Sequence, residues 1–244
     1  MSIRFCMSLA SLTVSVSCRY EYVKNMCSAY IIPDVSTPDI TASCTDAEIA
    51  AEVALLEGTS AQNAEFLCIY RSIARVLPSF NRAVFHGAAI TYLSNGFLFT
   101  APSGTGKSTH IKLWRKYLGD SVKIVNGDKP IIAADKNGVT VYGTPWAGKE
   151  NWQKNTSAPL KGICVLKQGT DNMIRPLSKE ESVSAFMRQI YLPDFENALA
   201  DTLSVLDAII RNVPVFELSC DISENAVAAS FEALTGDKYK NKEI

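Results

Sequence analysis

Phe97-Leu-Phe-Thr-Ala-Pro-Ser-Gly-Thr-Gly-Lys-Ser-Thr109 is the stretch on which the reading of this chain turns. Phe97–Thr100 has the composition of a buried strand. From Thr109 to Leu118, Ile111, Leu113, Trp114 and Leu118 alternate with Lys112, Arg115 and Lys116, the pattern of an amphipathic helix. Between them, Ala101–Ser108 has the spacing of a phosphate-binding loop, with alanine in place of the first glycine. Gly104 and Gly106 let the backbone curl so that successive N–H groups face phosphate oxygens, and the helix N-terminus adds its dipole. Lys107 is placed to span the β- and γ-phosphates, and the Ser108 hydroxyl to ligate Mg²⁺. The expected nucleotide contacts are Ala101, Pro102, Ser103, Gly104, Thr105, Gly106, Lys107, Ser108 and Thr109, with ATP and Mg²⁺ as cofactors. An ordinary glycine-rich turn with a surface lysine is the reading that the flanking strand and helix displace.

Outward from the loop, the chain keeps a strand-and-turn rhythm. Ala83–Leu93 reads as a strand, and Asn95-Gly96 is the strongest hairpin signal. Val122–Val125 is a short strand ending at Asn-Gly-Asp-Lys-Pro130. Strands at Ile131–Ala134 and Val139–Tyr142 flank a turn, and further strands are expected at Ile163–Leu166, Met173–Leu177 and Val215–Leu218. Helices are expected from Ser178, boxed by Glu181, from about Asp194 to Asn212, and after Asp221 or Ser223 as far as Gly236.

The first eighty residues form a separate β-rich and helical segment. Ile3, Phe5, Met7 and Leu9, then Leu12, Val14 and Val16, alternate with small or polar residues, which favours two strands over the continuous apolar block of a signal peptide. Thr45 and Glu48 form a capping box ahead of a helix to Leu56. Glu65–Leu77 carries Phe66, Ile69, Ile73 and Leu77 on one helical face. The expected organisation is a small N-terminal segment over 1–80, a core over 81–236 and a polar tail over 237–244.

Composition narrows the class. The 244 residues are 47% hydrophobic and 20% charged, with a net charge of −1 and no basic stripe, so a nucleic-acid partner is not expected. No apolar run reaches the roughly 18 residues of a membrane-spanning helix. Seven cysteines without a C-x-x-C pair read as free thiols, and two histidines leave little material for structural zinc. The expectation is a soluble, cytoplasmic protein with no membrane partner. No LSGGQ-like signature supports an ABC ATPase. About a hundred residues precede the loop and only four arginines follow Lys107, which is unlike nucleoside monophosphate kinases.

Three further positions carry chemistry. Asp128, at a strand's C-terminal end near the loop, lies where α/β sheets bind ligands and is a candidate general base or metal ligand. The alternative is a turn cap in Gly127-Asp-Lys-Pro130. For His86 two readings stand, a catalytic group and a core histidine bonded to backbone. Gly143–Glu150 reads as a binding loop in which Trp146 would stack on a base or cover the site, Lys149 neutralise phosphate and Glu150 reach Mg²⁺ through water. The alternative is a hydrophobic plug flanked by solvated charges. Arg175 is a further electrostatic candidate, and His110 is left out of the catalytic set.

The order His86-Gly87, phosphate loop, Asp128 resembles the catalytic core of HPr kinase/phosphorylase and, more distantly, ATP-dependent phosphoenolpyruvate carboxykinase, over about Arg82–Gly143. The resemblance implies an α/β fold with a mixed-sheet P-loop kinase core. It also implies that His86 matches the family histidine and Asp128 the second aspartate of the family's pair, the base toward a serine hydroxyl. Gly127 stands where the first aspartate would be, and the family's metal-binding glutamate, C-terminal arginine and HPr-docking segment have no match. The implied activity is ATP- and Mg²⁺-dependent phosphoryl transfer to a hydroxyl, in particular a serine of a peptide, small protein or free amino acid, with Asp128, Lys107 and His86 catalytic and Ser108 and Asp128 at the metal. The alternative is a nucleotide-binding switch or weak ATPase acting through a protein partner. A carboxykinase-like reaction fits poorly with the short chain. Relatives of this fold often form rings, so a homo-oligomer stays open.

Overall fold

The computed structural model describes residues 2–193 and 196–240. The N-terminal alternation becomes a hairpin, β1 (Ile3–Leu9) against β2 (Leu12–Cys18), turned by Ala10 and Ser11, both at positive φ. A short helix α1 (Glu21–Met26) and the strands β3 (Ile31–Ile32) and β4 (Ile40–Ala42) complete a four-stranded sheet in the order β3-β1-β2-β4. The helix α2 (Asp46–Leu55) starts at the Thr45–Glu48 capping box, and α3 (Ala61–Val76) starts four residues before the expected Glu65, capped by Ser60. Phe66, Ile69 and Ile73 of α3 pack on Phe5, Met7, Val14 and Val16, so every second strand residue serves one core.

The larger sheet carries the glycine loop Ala101–Ser108. Its strands are β5 (Arg82–Val84), β6 (Gly87–Tyr92), β7 (Asn95–Thr100), β8 (Val122–Asn126), β9 (Ile131–Asp135), β10 (Gly138–Tyr142), β11 (Ser157–Gln168), β12 (Met173–Pro176) and β13 (Val215–Cys220). They run β5-β9-β10-β11-β7-β6-β8, with β13 parallel to β11 and β12 antiparallel to β13. The twelve-residue β11 meets β10 with its first residues and β13 with its last, while β7 lies parallel on its other side.

Helices cover both faces of the sheet. α4 (Lys107–Leu118) and α7 (Glu224–Thr235) bury Trp114 and Phe231 against Phe97, Phe99 and Cys164. On the opposite face, α5 (Lys179–Phe186) and α6 (Glu196–Asn212) bury Phe186, Val205 and Ile209 against Leu98, Ile163 and Val165. Successive residues of β7 and β11 therefore feed opposite cores, which is why these strands read as unbroken apolar runs. This is the mixed α/β architecture expected. The helix expected from Asp194 begins outside the described residues. All seven cysteines are free thiols, and among the described residues no helix is long and apolar enough to cross a membrane.

The hairpin between β6 and β7 turns two residues earlier than expected. Leu93 and Ser94 take the positive-φ positions, at +47° and +71°, while Asn95 already pairs with Tyr92. Gly96 serves packing instead, since a Cβ there would lie 2.8 Å from Val141 Cγ1 and 3.2 Å from the Pro159 carbonyl oxygen. Gly96→Ala is expected to lower unfolding free energy by about 1–3 kcal/mol through overpacking. Ser94→Gly is expected to raise it, because only glycine adopts that backbone without cost. Denaturant midpoints of the two variants moving in the same direction would contradict this division of roles.

Candidate active site

β7 delivers the chain to the loop through buried Thr100, whose Oγ1 donates to the His86 carbonyl at 2.8 Å. Gly104 and Gly106 sit at φ +80° and +116° with open space where a Cβ would point, so dihedral angle and not crowding requires glycine here. α4 starts at Lys107, two residues before the expected Thr109. Its N-cap position is Gly106, with no side-chain cap, so the first N–H groups of the helix are left for an anion. Lys107 Nζ donates to the carbonyls of Ala101 at 2.8 Å and Pro102 at 3.3 Å, which holds the loop curled. Burial lowers the Lys107 pKa, opposed by the nearby Asp128 charge and assisted by Lys129.

A second turn faces the loop from the end of β8. The fully buried Asn126 accepts from the backbone N–H of Asp128 at 2.8 Å and of Lys129 at 2.7 Å. Its amide donates to the carbonyls of Thr144 and Trp146 and to Thr144 Oγ1, so one side chain fixes two loops. Gly127, where the resembled pattern has its first aspartate, is closely flanked by the second loop. A Cβ there would lie 3.1 Å from the Ala147 carbonyl and 3.3 Å from Trp152 Cβ.

Asp128 meets His86 and Lys129. Its Oδ1 is 3.3 Å from His86 Nε2 and its Oδ2 is 3.4 Å from Lys129 Nζ. Burial would raise its pKa, but the hydrogen bond from His86 and the charge of Lys129 together hold the carboxyl below the ordinary carboxylate range. His86 sits where the expected continuous strand breaks, β5 turning to pair with β9 and β6 with β7 and β8. Gln189 fixes it from behind. Its amide oxygen is 3.1 Å from His86 Nδ1, and its carbonyl accepts the His86 N–H at 2.6 Å.

His86, Asp128, Lys129, Lys107, Ser108, Lys149 and Glu150 therefore line one cleft of about 640 Å³. Lys149 and Glu150 are exposed on the turn Gly148–Glu150, where Glu150 pairs with Lys112 at 3.3 Å. Trp146 has no base-stacking role. It is 4% exposed, stacked on Phe66 and Tyr70, and donates Nε1–H to the Phe66 carbonyl at 3.1 Å. Phe66 and Tyr70 of the N-terminal core outcompete solvent for the indole, which buries it as a plug. Arg175 lies outside this cleft, in a neighbouring one that also borders Ala101–Thr105, clamped by Glu181 at 2.9 Å and Glu217 at 3.1 Å.

Ser108, Asp128 and Glu150 bring a hydroxyl and two carboxylates to the cleft, the oxygen donors that a hard divalent cation takes. Among the described residues no cluster of three His, Cys, Asp or Glu side chains forms a closed metal cage. Such a donor set suits Mg²⁺ held partly by phosphate oxygens. Asn126, Lys129, Thr144 and Gln189 were missed by the sequence reading. Only Asn126 left a signal, as an Asx-turn former at a strand end.

No family model matches the sequence, and no curated protein matches it. Among solved structures, the chain is similar to the HPr(Ser) kinase/phosphatase from Coxiella burnetii, at 12% identity and a TM-score of 0.35, over 63% of this chain and 93% of that one. A likeness at that score carries no activity across to this chain.

The lowered Asp128 pKa has a testable sign. Its contribution to stability is fully present above the ordinary value of 3.8 and is lost as pH falls through the lower folded value. His86→Ala removes the leading stabilising partner and is expected to raise the Asp128 pKa, shifting that loss to higher pH. Carboxyl ¹³C titration checks it, and an unmoved Asp128 in the variant would refute the role given to His86.

Proposed function

We propose that this chain is an ATP- and Mg²⁺-dependent phosphotransferase that moves the γ-phosphoryl group to a hydroxyl, in particular a serine of a peptide, small protein or free amino acid. One observation carries the proposal: the uncapped helix N-terminus, Lys107 and an ionised Asp128 held by His86 share a single cleft. Phosphoryl transfer asks of the protein chiefly positioning and charge stabilisation, which these groups supply.

The backbone N–H groups of the loop bind the phosphates, and Lys107 exchanges its loop carbonyls for phosphate oxygens. Ser108 and Asp128 would hold Mg²⁺, which when bound neutralises phosphate charge. Asp128 accepts the proton of the attacking hydroxyl, its low pKa keeping it ionised at neutral pH. His86 orients that carboxylate, and Gln189 orients His86. Lys129 and Lys149 add positive charge around the transferred group.

The test is transfer of label from γ-labelled ATP to a panel of free serine, free threonine, serine-ended peptides and an HPr-type protein. Asp128→Asn is expected to lower the transfer rate ~10²-fold or more with little change in nucleotide binding. Lys107→Ala is expected to abolish transfer. Label reaching water alone, at a rate indifferent to Asp128→Asn, would refute the kinase assignment in favour of a nucleotide-driven switch.

A further inference from the structure

Three clefts meet on the phosphate loop at Gly104. One is the Asp128 cleft, on the β8 side of β7. A second, of about 840 Å³, runs along α5 to Gln189, behind His86, and is floored by the end of β11 at Val165–Gln168 and by Glu217 of β13. The third, of about 380 Å³, lies between the first turn of α4, at Thr109, His110 and Leu113, and the turns that follow β11 and β13, at Gly169 and Asp221–Ile222. It opens outside the carboxyl ends of the parallel strands β7, β11 and β13, on the side of β7 opposite β8.

His110 borders this third cleft and is 3% exposed. Its Nε2 is 3.0 Å from Ser230 Oγ, and Trp114 Nε1–H lies between the two, 2.9 Å from that oxygen and 3.2 Å from His110 Nε2. The Ser230 hydroxyl in turn donates to the carbonyls of Ala226 or Val227, each at 3.0 Å. The assignment that satisfies every donor of the trio puts the imidazole proton on Nε2, donated to Ser230. Nδ1 is then a bare acceptor, buried, with no partner among the described residues. A buried acceptor left without a donor is costly, so its retention beside a cleft asks for a donor from outside the chain.

We propose that the third cleft takes the base of the nucleotide donor, and that His110 Nδ1 accepts a hydrogen bond from an amino N–H of that base. The proposal rests on the loop binding the triphosphate with its terminal phosphate toward Asp128, because the nucleoside then leaves the loop on the β11–β13 side. Ile222, 76% exposed at the cleft's edge, offers an apolar surface for the face of the base. The class of base is an aminopurine. An analogue with hydrogen at the 6-position leaves Nδ1 unpaired.

Binding of inorganic tripolyphosphate, ATP and the 6-unsubstituted purine riboside triphosphate to the full chain separates the parts. Ile222→Glu, on an exposed side chain that the fold does not use, is expected to weaken ATP ~10-fold while leaving tripolyphosphate unchanged. The 6-unsubstituted analogue is expected to bind the unmodified chain several-fold to ~10-fold more weakly than ATP, the worth of one hydrogen bond. In ¹⁵N spectra the His110 Nδ1 resonance is expected to move on adding ATP and to stay in place with tripolyphosphate. Tripolyphosphate binding that is retained, with ATP indifferent to Ile222→Glu and the Nδ1 resonance unmoved, would overturn the base cleft alone. Tripolyphosphate that fails to bind would overturn the reading of the loop beneath it.

Discussion

The Asn126 side chain is the tie on which the cleft depends. It is a buried primary amide whose oxygen accepts two backbone N–H groups from the Asp128 turn and whose nitrogen is shared among oxygens of the Thr144–Trp146 loop. Buried amides cost free energy unless paired, and this one pairs only when both loops are in place. The two loops consequently form or fail together. Thr144 reinforces the tie by donating to the Lys129 carbonyl, and Gly127 lets the Ala147–Trp152 segment close against the turn. The Asp128 backbone is thereby set by the turn, while the orientation and charge state of its carboxylate are left to His86 and Lys129.

That arrangement explains the departure of this chain from the paired-aspartate pattern it resembles. A side chain at Gly127 would sit tightly, its Cβ 3.1 Å from the carbonyl of Ala147, so the second loop would have to give way by a few tenths of an ångström to admit a first carboxylate. Glu150 comes to the same cleft from the exposed turn of that loop, on a less constrained backbone and partnered by Lys112. The cleft thus keeps an acidic group beyond Asp128, carried by a different element.

What the sequence disclosed was local. The strand, glycine loop and helix around Gly104 and Gly106, the capping boxes at Thr45 and Ser178, the α3 face and the alternation of β1 and β2 are each specified within one or two turns or strands of chain, and all appear in the fold. What it hid was set by partners distant in sequence. Gln189 reaches His86 across more than a hundred residues, and Trp146 is claimed by Phe66 and Tyr70, eighty or so residues upstream. Trp146 was read both as a base-stacking residue and as a plug because glycine and proline neighbours mark a loop without saying what the loop covers. Asn95-Gly96 misled for a related reason. Its glycine answers to the crowding of Val141 and Pro159 from other strands, a demand that no hairpin rule contains.

The indole of Trp146 also has a consequence for biosynthesis. The N-terminal core runs from Phe5 to Leu77 but is closed by Val84, Ile131 and Trp146 from the larger sheet. A nascent chain that has produced its first eighty residues therefore holds a hydrophobic cluster with one side unsealed, and must wait for nearly seventy more before the indole arrives. Loop-closure entropy makes such distant pairing slow relative to the hairpin and helices that precede it. The same late residue lies on the loop that Asn126 fixes, so the sealing of the first core and the closing of the two loops beside Asp128 are one event on the ribosome's timetable.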